Sequence, residues 1–309
     1  MPKFAVQMTL ETLFISTTES AIDCALYTKG MAVLDHAKEK EFDLGKVAAI
    51  GDGANDLPFL ALEGLCLAGC PANADEAVKA AVLARGGFVS KFEVYLGFLD
   101  FSAQCLQRGV EAIYTDRDQT ILDKEEFPGA LGLATSLRYS GDSGSPFIYV
   151  LTGAGQAENK DFIEVINSFY DLEENKFIAA DPHIILSENG GVRVNVLNPS
   201  ESVNMVQKKN PELFAKVLGP FRNSLVKRLE SEIAPKFNLG VTYDYGNQKG
   251  NAYIATKQTM VSVNVPRSYA DGKPYRNTAD AGNYRQEMKE AAVDIAKSMN
   301  IPFRILESK

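Results

Sequence analysis

The stretch VAAIGDGANDLPFLALEG, residues 47–64, opens on four apolar residues, turns on Gly-Asp-Gly and closes on a helix signal. Residues 47–50 form a short apolar run without alternation, as a strand buried on both faces does. Asn55 and Asp56 offer a helix start, Pro58 falls in the first turn and Gly64 ends it. Upstream, in KGMAVLDHAKEKEFDLG (29–45), Met31, Val33, Leu34 and Ala37 recur at helical spacing before Gly45. Downstream, ADEAVKAAVLARGG (74–87) reads as another helix closed by glycine.

The alternation resumes at residue 111. EAIYT (111–115) reads as a strand before an acidic loop, PFIYVLTG (146–153) as a second, AENKDFIEVINSFYDL (157–172) as a helix, and HIILSENGG (183–191) as a third strand. Short apolar strands alternating with helices predict a parallel sheet covered on both faces. Beyond about residue 190 the pattern changes. GVRVNVLN (191–198), LGVTYDY (239–245), NAYIATK (251–257) and TMVSVNVP (259–266) alternate apolar and polar residues, as one-sided antiparallel strands do. Amphipathic helices are expected over 211–233 and 282–299, and LFIST and AIDCALYT in the first 28 residues resemble the alternating strands. The expected organisation is an α/β parallel-sheet core over 29–188 and an open-faced α+β domain made of 189–309 together with 1–28.

Composition narrows the function. A chain of 309 residues fits two domains, or one domain with a large insertion. A net charge of −8 and a pI near 5.0 argue against a generic nucleic-acid or anionic-membrane surface. The N-terminus shows no leader pattern and no segment has the ~18 uninterrupted apolar residues of a membrane span, so a cytoplasmic location is expected. Cys24, Cys66, Cys70 and Cys105 form no CxxC pair. With His36 and His183 as the two histidines, a multi-histidine zinc centre or a Ser-His-Asp triad has little to draw on.

Two acidic clusters follow predicted parallel strands: Asp116 and Asp118 after EAIYT, and Asp52, Asn55 and Asp56 after VAAIG. Ligands in open α/β sheets bind at the carboxyl ends of strands, so one crevice can serve both. Crowded carboxylates repel unless a cation neutralises them, and an oxygen-only donor set suits magnesium. Asp116 is then a candidate nucleophile toward phosphorus and Asp118 a candidate proton donor. Taken singly, a DxD on a loop is more often a solvated turn. A calcium loop is excluded by Ile121 at its sixth position and Phe127 at its twelfth.

The combination resembles the haloacid dehalogenase-like phosphatases, in their Cof-like type IIB branch. DRDQT (116–120) resembles motif I, VLTG (150–153) motif II, TKGMAVLDH (28–36) motif III and GDGANDLPFLALEG (51–64) motif IV; CPANADEAVKAA (70–81) and ILSENGG (185–191) add to the likeness. The resemblance implies a Rossmann-like core with a cap domain and a Mg2+-dependent phosphatase acting through an aspartyl-phosphate. Its implied roles are Asp116 as nucleophile, Asp118 as acid and base, Thr152 and Gly153 as phosphoryl binders, and Lys29 as charge neutraliser. Mg2+ is expected on Asp116, the Asp118 carbonyl and Asp52, with Asp56 behind them and Asn55 near the phosphate. Arg117, Glu188 and Asn189 are candidate substrate contacts.

The motif order here is III, IV, I, II, cap, where that family runs I, II, cap, III, IV. A circular permutant with its termini cut within the cap accounts for the difference. The expected substrate is a small phosphorylated metabolite such as a sugar phosphate, and the expected state a monomer or homodimer, with a site built in one chain or across a swapped dimer. A phosphotransferase or mutase of the same superfamily, or a catalytically silent phosphometabolite-binding protein, are the alternatives.

Overall fold

The structure, a computed structural model, describes residues 12–18, 21–123, 144–155, 159–160, 162–164, 181, 183–244, 246–255, 257–276 and 278–306. They fall into two compact units, Thr28–Val203 and a second comprising the described residues of 8–27 and 204–308.

Strands β1 (Leu13–Thr17) and β2 (Ala21–Ala25) belong to the second unit. The first opens with helix α1 (Lys29–Glu39), whose N-cap Thr28 accepts a hydrogen bond from the Met31 amide. Asp43 caps the next turn by accepting from the Gly45 amide, and β3 (Val47–Ile50) follows, buried at every position. The core continues through α2 (Leu57–Leu60), β4 (Leu67–Cys70), α3 (Glu76–Ala84), β5 (Phe88–Val89) and α4 (Val94–Gln107). Neither β4 nor α4 is anticipated in the sequence reading above. Phe98, Phe101 and Cys105 give α4 a buried stripe, and a β-carbon at Gly69 of β4 would run into the Phe101 ring.

Strands β6 (Ala112–Asp116), β7 (Phe147–Leu151) and β8 (Ile185–Ser187) complete the parallel run. With β9 (Val192–Val194) and β10 (Val203–Asn204) the sheet has the order β10-β9-β8-β7-β6-β3-β4-β5. From β3 the chain steps outward to β5, then returns through α4 to β6 on the other side of β3. Strand order therefore reverses between β3 and β6, the topological switch point where open α/β sheets bind ligands.

Two details differ from the sequence expectation. The strand expected to run to 191 stops at Ser187, because Glu188 and Asn189 take φ of 52° and 58° in a 3-10 turn. That turn sends β9 back antiparallel to β8, so residues 192–194 extend the core sheet rather than open the second domain, and the first unit runs to Val203 instead of 188. Of the expected helix 157–172, residues 157, 158, 161 and 165–172 lie outside the described residues.

The second unit is a six-stranded sheet that also contains β11 (Gly240–Thr242), β12 (Asn251–Ala255), β13 (Met260–Asn264) and β14 (Phe303–Leu306), in the order β11-β12-β13-β2-β1-β14. β1 lies parallel to β14, and β2 antiparallel to β13. Helix α5 (Gly219–Arg228) sits in a helical run over 211–236, and α6 (Ala279–Ser298) buries Ala281, Tyr284, Met288, Ala291, Ala292 and Ile295 along one stripe. No helix among the described residues is long and apolar enough to cross a membrane.

Candidate active site

At the carboxyl end of β3 the chain turns through Gly51 and Gly53 into a 3-10 turn, Ala54–Asp56. Asp56 Oδ2 accepts the Asp52 and Gly53 amides at 2.9 and 3.0 Å, and its Oδ1 takes the Lys29 ammonium at 2.5 Å. Both oxygens of Asp56 are thereby engaged, which makes it the pivot of the cluster. Lys29, at the first position of α1 and 1% exposed, also donates to Asp116 at the end of β6. Asp52 accepts from the Thr120 hydroxyl at 2.9 Å.

The structure thus brings Lys29, Asp52, Asp56 and Asp116 into one cluster, and ligand atoms of the three carboxylates lie within 4.8 Å of one another. One ammonium faces three buried or half-buried carboxylates. Burial and then the Asp56 charge push Asp52 up to about 7, against the Thr120 hydrogen bond and Lys29. Burial and Asp56 hold Asp116 well above the ordinary carboxylate range despite Lys29. Burial works to lower Lys29, but Asp116 and Asp56 outweigh it and keep the ammonium above its usual value. A divalent cation would relieve this surplus of negative charge, and an all-oxygen donor set fits Mg2+. With Asp56 saturated, Asp52 and Asp116 retain the lone pairs to hold it.

Asp118 stands apart. Its carboxylate is 58% exposed and lies against Arg117, with three contacts between 2.9 and 3.2 Å. Arg117 also donates to Asn159 Oδ1 at 2.6 Å and lies over the Phe162 ring at 5.8 Å.

The loop after β7 is braced from two sides. Thr152 is fully buried; its amide donates to Leu186 and its hydroxyl accepts from the Ala154 amide. The Glu188 amide donates to the Ala154 carbonyl and the Asn189 amide to that of Thr152, so the 188–190 turn closes on Thr152 and Gly153. Asn55 is half-buried in the turn that holds Asp56, next to Gly53.

Three supporting residues have no role in the sequence reading. Thr120, inside DRDQT, is visible there only as a motif letter. Asn73, inside CPANADEA, joins the motif loops by donating to the Gln119 carbonyl at 2.8 Å and accepting from the Val94 amide. Asn159 gives no local signal, since its partners lie in another loop. His36 Nδ1 and the Tyr114 hydroxyl are 2.8 Å apart, and His183 lies 3.9 Å from Asp181. Cys24, Cys70 and Cys105 are buried free thiols.

Residues 22–85 match the family model described as haloacid dehalogenase-like hydrolase. A comparison with curated proteins returns no match. The matched segment holds Lys29, Asp52, Asn55 and Asp56, and stops short of Asp116. Residues 22–85 are thus similar to the haloacid dehalogenase-like hydrolases, and that segment brings Lys29, Asp52 and Asp56 to the switch point of a parallel α/β core.

Proposed function

We propose that the protein is a cytoplasmic, Mg2+-dependent phosphatase that hydrolyses a small phosphorylated metabolite, such as a sugar phosphate. The observation that carries this reading is Lys29 between Asp56 and Asp116 at the carboxyl end of a central parallel strand. A carboxylate oxygen held beside a fixed cation is poised to attack phosphorus, and the cation offsets the charge that spreads over the phosphoryl oxygens.

In this mechanism an Asp116 oxygen bonds to phosphorus as the bond to the leaving oxygen breaks, its electron pair staying on that oxygen. Asp118, turned away from Arg117 and carrying a proton taken from solvent, gives that proton to the leaving oxygen and becomes a carboxylate. Water then attacks the aspartyl-phosphate as Asp118 takes its proton, releasing phosphate and restoring Asp116. The Thr152 hydroxyl and the Gly153 amide hold the transferring oxygens, with Asn55, Glu188 and Asn189 around the substrate. Asp52 and Asp116, with the Asp118 carbonyl, would hold Mg2+, which when bound would neutralise charge at the phosphoryl group.

The same reading makes the chain a circular permutant, with its cap divided between the two ends. In support, β1 and β2 find their partners in β14 and β13, from the far end of the sequence. Phosphate release from a panel of sugar phosphates and an aryl phosphate, with and without Mg2+, tests the activity. Metal-dependent turnover that disappears in Asp116→Asn is expected; a folded, Mg2+-loaded protein that releases no phosphate would sink the proposal.

A further inference from the structure

Arg117 is held from behind on two sides. Its side chain is 12% exposed, its guanidinium lies over the Phe162 ring, and one arm donates to Asn159. Asn159 is itself fully buried, and its amide nitrogen donates to the carbonyls of Ala154 and Gly155 at 3.3 and 2.9 Å. Those bonds fix which end of the amide is oxygen and aim it at Arg117. The guanidinium is therefore anchored to the loop that carries Thr152 and Gly153, on the edge of the cluster around Asp116.

Its remaining donors, Nε and Nη2, face the Asp118 carboxylate. The two partners are unequal. Arg117 is fixed from behind, whereas Asp118 is mostly exposed, and an ion pair with a solvated partner holds weakly. A pre-organised fork next to a reaction centre, filled by an exchangeable carboxylate, is a receptor for another carboxylate.

We propose that Arg117 is a specificity-determining residue that binds a carboxylate on the leaving alcohol, so that the substrate is a phosphorylated hydroxy acid or another phosphomonoester with an acidic leaving group. The incoming carboxylate takes the place of Asp118 on Nε and Nη2 and leaves the Asp118 side chain free to turn to the leaving oxygen. This rests on the phosphatase reading above and refines its substrate class. It also gives a reason why the acid stands outside the cluster before substrate binds.

The test compares 3-phosphoglycerate with glycerol 3-phosphate, which differ by a carboxylate for a hydroxymethyl group, on wild type, Arg117→Met and Arg117→Lys with Mg2+ present. In the wild type kcat/KM should favour 3-phosphoglycerate by about tenfold or more, the size of effect that one charge-assisted bidentate contact supports. Arg117→Met should bring the ratio close to one. Arg117→Lys, which keeps the charge and an aliphatic stem but loses the fork, should fall between them and gives the same readout if the Met protein does not fold. An equal ratio in wild type and variants overturns the assignment while leaving the phosphatase intact. Failure of the wild type to hydrolyse either compound or an aryl phosphate overturns the phosphatase reading itself.

Discussion

Gly51 lies flat against the carboxylate of Asp56: a β-carbon at Gly51 would approach Asp56 Oδ2 to 2.5 Å and its Cγ to 2.6 Å. Asp56 has nowhere to retreat, since its two oxygens are bound to Lys29 and to the amides of Asp52 and Gly53. Gly51→Ala should therefore displace Asp56 and with it Lys29. The expected result is a loss of at least tenfold in kcat and a stability cost of about 1–3 kcal/mol, read by phosphate release and thermal melting. Gly53→Ala closely meets the end of the Asn55 side chain, at 2.8 Å, with Asp56 Oδ2 no nearer than 4.0 Å, and should cost less of both. Equal damage from the two substitutions would contradict this account.

Mg2+ should stabilise the protein, and by more at pH 8 than at pH 5.5. Asp52 is raised to about 7 in the fold, so the native state holds a proton that the unfolded chain releases near the ordinary 3.8. In the metal-free protein that stabilising contribution is complete below about pH 4 and is lost as pH rises through 7. Metal must displace the same proton, which makes its effect grow with pH. Asp52→Asn should flatten this part of the metal-free stability profile and abolish the Mg2+ shift; an unchanged Mg2+ response in the variant would rule out Asp52 as a ligand.

Thr120 should influence metal binding through Asp52. Its hydroxyl bond favours the ionised carboxylate, so Thr120→Val should raise the Asp52 pKa further. Loss of a partner behind a ligand of this kind weakens metal affinity by about 10–100-fold. Calorimetric Mg2+ titration at pH 7 should show that loss, with partial recovery at pH 8.5 where Asp52 ionises again. Undiminished affinity at pH 7 would show that the hydroxyl plays no part.

His36 imposes the opposite pH slope on the same unit. It is fully buried, hydrogen-bonded to Tyr114 and lowered to about 3, first by burial and then by Arg193. The unfolded chain protonates it near 6.5, so its stability contribution is complete above that value and is lost as pH falls toward 3. The slope is about 1.4 kcal/mol per pH unit within that window. His36→Gln removes the titration, and its denaturant-derived stability should fall less steeply than wild type between pH 6 and 4. Parallel profiles would mean that His36 is already charged in the fold.

What the sequence determined by itself is local. The apolar run 47–50, the glycines around Asp52, the Thr28 cap ahead of Lys29 and the strand ahead of Asp116 are written in neighbouring residues, because hydrogen-bond and steric preferences act over a few positions. Placing Asp52 and Asp116 at strand ends needed nothing more. Which side chains meet was decided by the tertiary structure. Parallel pairing of β3 with β6 sets Ile50 beside Thr115 and so brings their loops to one edge. The packed helix α1 then delivers Lys29 to a carboxylate 87 positions away. Local signals were equally blind to the turn of Asp118 toward Arg117, the bond from Asn159, and the return of β9 onto β8 that carries the core past residue 188. These depend on how segments distant in sequence pack, with buried Asn159 fixing Arg117 from behind and β8 offering an edge to β9, constraints that exist only once the chain has folded.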